Sequence, residues 1–232
     1  NKEEYESYLK RLEYQNTEPD FMKNISEIGE DTVFSKGEDM ANVNENYSKH
    51  PGFKWMLNCM NCTTAYELRR RGYNVEAKPN LEDGHYKGLL TDFDDLYENP
   101  DIKYIDPNGK TSQIKSDGTG LVGQSKSYGK NGPVANLNKT NKKYTYKDLT
   151  KSILESNPPG SRGNFMCVYR GGGAHSMAYE VTSKNQFVVR DTQSNTIRDM
   201  SQYTTQLKEI YILRTDNLKL KKGVLETVNG KK

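Results

Sequence analysis

Apolar positions along the chain change from a helical spacing near its beginning to short β-rich runs near its end. Residues 2–15 repeat tyrosine and leucine three or four positions apart between charged residues, which predicts an amphipathic helix. Residues 16–50 are polar and poorly periodic, and Pro51 with Gly52 interrupts the chain after them. We therefore expect a helical N-terminal extension over residues 1–40.

A second helical pattern runs from Asn58 to Gly72. Asparagine is favoured at helix N-caps, and glycine is favoured just after a helix ends. The three arginines before Gly72 suit the negative end of the helix dipole. Cys59 and Cys62 would lie in the first turn, where unpaired backbone N–H groups and the positive end of the dipole favour a thiolate. The pattern is typical of a helix that carries a cysteine nucleophile.

The second half of the chain begins with a segment that has no clear period. Residues 80–143 are rich in Gly, Asn, Asp, Lys and Ser, with a turn signal at residues 106–109, so we expect a loop-rich insertion. A capping-box-like sequence at residues 145–148 predicts a helix that ends before Pro158. Four β-rich runs follow, at residues 164–170, 176–182, 186–190 and 209–214. Helices followed by strands predict an α+β fold, with the cysteine helix before an antiparallel sheet.

The composition predicts a real but small core and narrows the choice of partners. Hydrophobic residues make up 33% of the chain, below the usual share, although 16 tyrosines partly compensate because each buries a large ring. Lys and Arg number 34 and Asp and Glu 31, so the charge is nearly balanced and a nucleic-acid partner is not expected. No apolar run approaches the length of a membrane span, and we expect no membrane partner.

Two of the three cysteines form a Cys-x-x-Cys pair, which is also found in zinc sites and redox centres. The chain has no second Cys-x-x-Cys and no His-x-x-His to complete a zinc site, so we expect no metal. The pattern around the pair is not the parallel βαβ unit of a thioredoxin-like protein. Three cysteines cannot all pair within the chain, and free thiols in a reducing compartment are expected.

Cysteine catalysis needs a base and a group that orients the base, and the chain has only three histidines. His175 begins a predicted strand, and Asp191 ends the next one. Because the start of one strand lies beside the end of the next in an antiparallel pair, we expect His175 and Asp191 to be neighbours. Structural roles, in the strand start and in a turn, are the alternatives for these two residues. His175 is the favoured base, because His50 and His85 lie in polar segments outside the predicted strands.

The two thiols are expected to differ in role. Cys59 would be the first helical residue and face the open end of the helix, so it is the expected nucleophile. Cys62, one turn deeper, fits the core face of the helix and is the alternative nucleophile. Backbone N–H groups at the helix start would stabilise an oxyanion, assisted by the side chain of Asn58 or Gln193.

The segments that carry these residues resemble those of a known family. Residues 58–77, N-C-x-x-C-x-x-A-Y-E-x-R-R-R-G-Y-x-V-x-A, are similar to the opening motif of papain-fold toxin domains described as glutamine deamidases. These domains occur in bacterial polymorphic toxins and phage head-morphogenesis proteins, and residues 41–47 are similar to the lead-in of the phage-linked branch. Residues 173–175 and 191–193 match the histidine and Asp-x-Gln elements, and residues 214–218 resemble the closing segment. The middle of Asp-x-Gln is usually proline in this family, and here it is threonine.

This resemblance implies a papain-like cysteine hydrolase domain over residues 41–218, followed by a C-terminal tail over residues 219–232. It implies a Cys–His–Asp enzyme without a cofactor that deamidates glutamine in a target protein, as a toxin or effector domain. A protein substrate and a cognate immunity protein are then the expected partners. A cysteine protease with the same triad and a non-catalytic phage head-associated module are the alternatives. Because the chain begins with Asn1, we expect an excised domain of a bacterial or phage protein, acting in a reducing cytoplasm.

Overall fold

A computed structural model describes the greater part of the region that carries the motifs. The described residues are 42–49, 53–56, 58–71, 73, 75–79, 93–114, 141–221 and 223–230. The expected N-terminal extension of residues 1–40 lies outside them, as do Gly72, His50 and His85. Within the described ranges the chain has an α+β fold, as the order of predicted elements indicated.

The helices of the described residues are short, with two exceptions. They are α1 (Asn46–Lys49), α2 (Phe53–Met56), α3 (Cys59–Arg70), α4 (Phe93–Leu96), α5 (Tyr146–Ser156), α6 (Met200–Tyr203) and α7 (Val224–Val228). A 3₁₀-helix at Thr204–Gln206 follows α6. The two long helices, α3 and α5, are those that the sequence predicted. Thr145 caps α5, since its side chain accepts a hydrogen bond from the backbone N–H of Asp148 at 3.2 Å.

The strands form one seven-stranded sheet in the order β2-β1-β7-β3-β4-β5-β6. They are β1 (Ile102–Ile105), β2 (Thr111–Ile114), β3 (Arg162–Tyr169), β4 (Ala174–Ser183), β5 (Gln186–Asp191), β6 (Thr196–Arg198) and β7 (Leu207–Arg214). Every neighbouring pair is antiparallel. The four β-rich runs of the sequence became β3, β4, β5 and β7, so the prediction of an antiparallel sheet is confirmed.

Two segments that the sequence analysis left without regular structure contribute elements to the fold. Within residues 80–143, β1 and β2 form a hairpin whose turn is closed by Asp106, and β1 also pairs with β7. Within residues 219–232, α7 buries Val224 and Val228 in the core. Both findings differ from the expected loop and tail, because elements of four or five residues are too short to show a clear hydrophobic period.

The sheet is packed on both faces. Cys62 and Leu68 of α3 share one core with Met166 of β3, whereas Leu149 of α5 shares a second core with Phe165. Because successive side chains of a strand point to opposite faces, α3 and α5 cover opposite faces of the sheet. The N-terminal end of α3 is thereby held against β4, the strand whose second residue is the predicted base, His175.

The arginines at the end of α3 are buried and do more than complement the helix dipole. Arg70 forms two hydrogen bonds with Glu180, at 2.8 and 3.2 Å. Arg71 binds Glu67 at 2.8 Å, and Arg162 of β3 binds the same carboxylate at 2.7 and 3.0 Å. Charged contacts therefore fix α3 against β3 and β4 inside the protein.

Candidate active site

His175 and Asp191 are adjacent because of the antiparallel pairing of β4 and β5. His175 is the second residue of β4, and Asp191 is the last residue of β5. Nε2 of His175 lies 3.0 Å from Oδ2 of Asp191. Both side chains are largely shielded from solvent. The structure thus brings His175 and Asp191 together, as the sequence analysis expected.

Cys59 completes a row of three groups with these two side chains. It is the first residue of α3, it is only partly buried, and it lies close enough to His175 to contribute to the raised pKa of the imidazole. Since Nε2 of His175 faces Asp191, Nδ1 is the nitrogen left for the sulfur of Cys59. The arrangement is that of a nucleophile, a base and a group that fixes the tautomer of the base.

The electrostatics of His175 and Asp191 favour a charged pair at neutral pH. Burial opposes protonation of His175, but the hydrogen bond with Asp191 and the proximity of Cys59 outweigh it and raise its pKa to about 9. Burial also disfavours ionisation of Asp191, yet contacts with His175 and Arg198 lower its pKa to about 2. Asp191 is therefore a carboxylate, and His175 holds a proton that it can donate.

The other two thiols are in surroundings that suppress their ionisation. Cys62 has no exposed surface, and burial raises the pKa of its thiol, with smaller contributions from the neighbouring Cys59 and Asp191. Burial raises the pKa of Cys167 to about 12. Because the thiolate is the attacking form, both are poor nucleophiles at neutral pH. The structure places Cys62 in the core, where the sequence analysis expected it to pack.

A pair of hydroxyl groups joins the first turns of α3 to the strand that carries His175. The Oγ1 of Thr63 donates to the backbone carbonyl of Cys59 at 2.9 Å, and it lies 3.1 Å from Oγ of Ser176. Thr63 is one turn beyond Cys59, and Ser176 is next to His175. This buried contact joins the turn that begins with Cys59 to the residue after His175, and the sequence analysis did not single out either Thr63 or Ser176.

Asn58 occupies the N-cap position of α3, but its side chain does not cap the helix, so that part of the prediction is wrong. Its backbone angles, φ −99° and ψ 28°, are not the extended angles of a capping residue. The amide instead donates to Oδ1 of Asn44 at 3.0 Å and to the carbonyl of Lys78 at 3.1 Å. The positive end of α3 is thereby left without a side-chain cap from Asn58, beside Cys59.

Gln193 joins the same amide network. Its Nε2 donates to Oδ1 of Asn58 at 3.2 Å, and its backbone N–H donates to Oδ1 of Asp191 at 3.1 Å. The structure therefore brings Asn58 and Gln193 together next to the triad. Their amides bind each other, so a contact with an oxyanion or a substrate would require these hydrogen bonds to exchange.

Two further residues of the site, Asn44 and Arg198, were missed by sequence reasoning. The buried amide of Asn44 donates to the carbonyls of Trp55 and Gln193 at 3.1 and 3.0 Å, which ties the entry to α3 to the loop after Asp191. Arg198 donates from Nη2 to Oδ2 of Asp191 at 2.7 Å. Asn44 lies within residues 41–47, and their resemblance to the lead-in of the family could have indicated that Asn44 belongs to the site. Arg198 lies on β6, a strand the sequence analysis did not predict.

Metal sites, membrane-spanning helices and similarity to known proteins are the remaining features that bear on function. No group of three or more His, Cys, Asp or Glu side chains within the described ranges could hold a metal ion. In the same part of the chain, no helix has both the length and the apolarity needed to cross a membrane. Neither a protein-family model, nor a curated protein, nor a solved structure matches this chain.

Proposed function

We propose that the chain is a papain-like cysteine hydrolase that deamidates glutamine side chains of a target protein, as a toxin or effector domain. The observation that carries the proposal is the 3.0 Å hydrogen bond between His175 and Asp191, with the side chain of Cys59 beside the imidazole. The resemblance of residues 58–77 to the deamidase motif supports glutamine as the substrate. Hydrolysis of a carboxamide uses the same triad as hydrolysis of a peptide bond.

The first chemical step forms a thioester. The sulfur of Cys59 attacks the carboxamide carbon of the glutamine side chain, and the carbon–nitrogen bond breaks as the tetrahedral intermediate collapses. Ammonia leaves with the proton that His175 donates, and the high pKa of His175, about 9, keeps that proton available at neutral pH. Backbone N–H groups at the start of α3, where the side chain of Asn58 provides no cap, stabilise the oxyanion.

The second step hydrolyses the thioester. Neutral His175 removes a proton from a water molecule, and the resulting hydroxide attacks the thioester carbon. The carbon–sulfur bond breaks and the product is glutamate, while Cys59 and protonated His175 are restored. Asp191 holds Nε2 of His175 at 3.0 Å throughout, which orients the ring and stabilises its charged form.

The experiment that tests the proposal separates ammonia release from chain cleavage. The full chain is incubated with the protected dipeptide benzyloxycarbonyl-Gln-Gly and with unfolded casein. We expect ammonia and a gain of about one dalton per modified glutamine, without new amino termini, because the leaving group is ammonia. If new amino termini appear without ammonia, the activity is proteolysis and the proposal of deamidation is wrong. Absence of both, together with no labelling of Cys59 by a thiol-reactive probe, would favour the non-catalytic phage module.

The pH dependence of kcat/KM reports the proton on His175. We expect activity to fall as the pH rises through about 9, because the imidazolium then loses the proton that ammonia needs. Asp191→Asn removes the negative partner that raises this pKa, so the alkaline limb should move to lower pH by about one unit or more. The measurement is kcat/KM for the glutamine dipeptide across the alkaline range in both proteins. An alkaline limb that stays in place in Asp191→Asn would contradict the assigned pairing.

A further inference from the structure

We propose that Arg198 is a positioning residue of this site, which holds the Asp191 carboxylate and limits how strongly that carboxylate binds the His175 imidazolium. The inference rests on the proposed Cys59–His175–Asp191 triad and adds a fourth group to it. Arg198 acts through Asp191, the residue that its guanidinium group binds.

The geometry that supports this role is the sharing of one oxygen atom. Oδ2 of Asp191 is 3.0 Å from Nε2 of His175 and 2.7 Å from Nη2 of Arg198. The other oxygen, Oδ1, accepts the backbone N–H of Gln193 at 3.1 Å. Each oxygen of the Asp191 carboxylate therefore has a hydrogen-bond donor other than the imidazole of His175. A carboxylate fixed in this way cannot rotate away when His175 gives up its proton.

Arg198 is itself held in place. Its guanidinium carbon lies 5.4 Å from the ring centroid of Tyr203, within the range of a cation–π interaction. The hydroxyl of Tyr203 is hydrogen-bonded to that of Tyr169 on β3. The side chain of Arg198 is nevertheless 37% exposed, so it reaches the buried carboxylate from the protein surface. Arg198 is therefore a partly exposed cation that contacts the triad at Asp191.

The charge of Arg198 has a definite effect on His175. A cation that shares the carboxylate neutralises part of its charge, and it also repels the imidazolium. Removing the cation should leave Asp191 to His175 alone and raise the pKa of His175. The titratable and charged groups that act on His175 or Asp191 from the neighbouring elements are Cys59 and Cys62 on α3, Cys167 on β3, Arg198 on β6 and Tyr203 on α6. Arg198 is the only cation among those groups in the described part of the chain.

The test compares Arg198→Gln, Arg198→Lys and a matched control. Arg198→Gln removes the charge and keeps a polar side chain, whereas Arg198→Lys keeps the charge and loses the planar fork. The control is Arg190→Gln, since Arg190 lies beside Asp191 in sequence but its Nη1 donates to Asn195 at 3.2 Å. NMR titration of the imidazole Cε1–H of His175 reports the pKa in the full chain without any substrate.

We expect the pKa of His175 to rise in Arg198→Gln, to stay near the unmodified value in Arg190→Gln, and to be partly restored in Arg198→Lys. With the glutamine dipeptide, kcat of Arg198→Gln should fall about tenfold to a hundredfold, the usual cost of a lost hydrogen bond to a charged group. KM should change little, because Arg198 does not contact the substrate. A merely structural role would lower the apparent kcat of Arg198→Gln and Arg198→Lys through loss of folded protein and leave the pKa of His175 where it is.

Titration of Asp191→Asn separates a failure of this inference from a failure of the proposed triad. If the pKa of His175 falls in Asp191→Asn but does not rise in Arg198→Gln, the triad stands and the role of Arg198 is overturned. If Asp191→Asn leaves the pKa of His175 unchanged, the pairing on which the proposed function rests is itself wrong.

Discussion

Replacement of Cys59 by alanine should reduce kcat for glutamine deamidation by about a thousandfold or more, the usual consequence of removing a triad nucleophile. The physical reason is that Cys59 alone among the three thiols is both partly exposed and beside the imidazole of His175. The measurement is ammonia release from the glutamine dipeptide, with circular dichroism to show that the variant is folded.

Cys62→Ala and Cys167→Ala are the matched controls for this prediction. Both remove a buried thiol whose ionisation is suppressed by burial, so we expect the folded fraction of each variant to keep most of its activity. Each should lose about 1 kcal/mol of stability from the small cavity left behind. An inactive Cys62→Ala together with an active Cys59→Ala would move the nucleophile to Cys62.

Glu67→Ala should lower the free energy of unfolding by about 3–5 kcal/mol, a large part of the total of about 5–15 kcal/mol for a typical domain. The carboxylate of Glu67 is 4% exposed and binds the guanidinium groups of Arg71 and Arg162 at 2.7–3.0 Å. Without it, these two cations lose their shared carboxylate partner inside the protein. Urea unfolding followed by circular dichroism measures the loss.

The matched control for Glu67 is Glu155, a helical glutamate on the surface of α5. Its side chain is 66% exposed and lies 3.9 Å from Lys151, so Glu155→Ala should change stability by less than about 1 kcal/mol. Burial raises the pKa of Glu67, but the two arginines outweigh it and lower the pKa below the ordinary value of 4.5. The contribution of Glu67 is therefore present above pH 4.5 and is lost as the pH falls through its depressed folded pKa. Equal losses in the two variants would contradict a structural role for the buried cluster.

The extent to which the sequence predicted the fold depended on the length of each element. The eight residues of β3 and the ten of β4 carry enough apolar and β-branched positions to be recognised as strands. The four residues of β1 and the three of β6 are too few to show a period. They become strands by pairing, β1 with the distant β7 and β6 with the preceding strand β5. Tertiary contacts, rather than local pattern, make these segments strands.

The same limit applied to the site. The adjacency of His175 and Asp191 follows from a hairpin that could be predicted, because both residues lie at strand ends. The contact of Arg198 with Asp191 depends on β6, so it could not be predicted. Asn58 was expected to cap α3 from its residue type, but its side-chain oxygen accepts hydrogen bonds from the amides of Gln193 and Asn44 instead.

The proposed mechanism requires that Cys59 is a nucleophile activated by His175. Alkylation by a limiting amount of iodoacetamide tests this role of Cys59 without any substrate. Peptide mass mapping of the full chain at neutral pH should show carboxamidomethyl groups on Cys59 well before Cys62 or Cys167. In His175→Ala the rate at Cys59 should fall about tenfold or more, since the neighbouring base that activates the nucleophile is gone. Preferential labelling of Cys62, or a rate at Cys59 that does not depend on His175, would contradict the account.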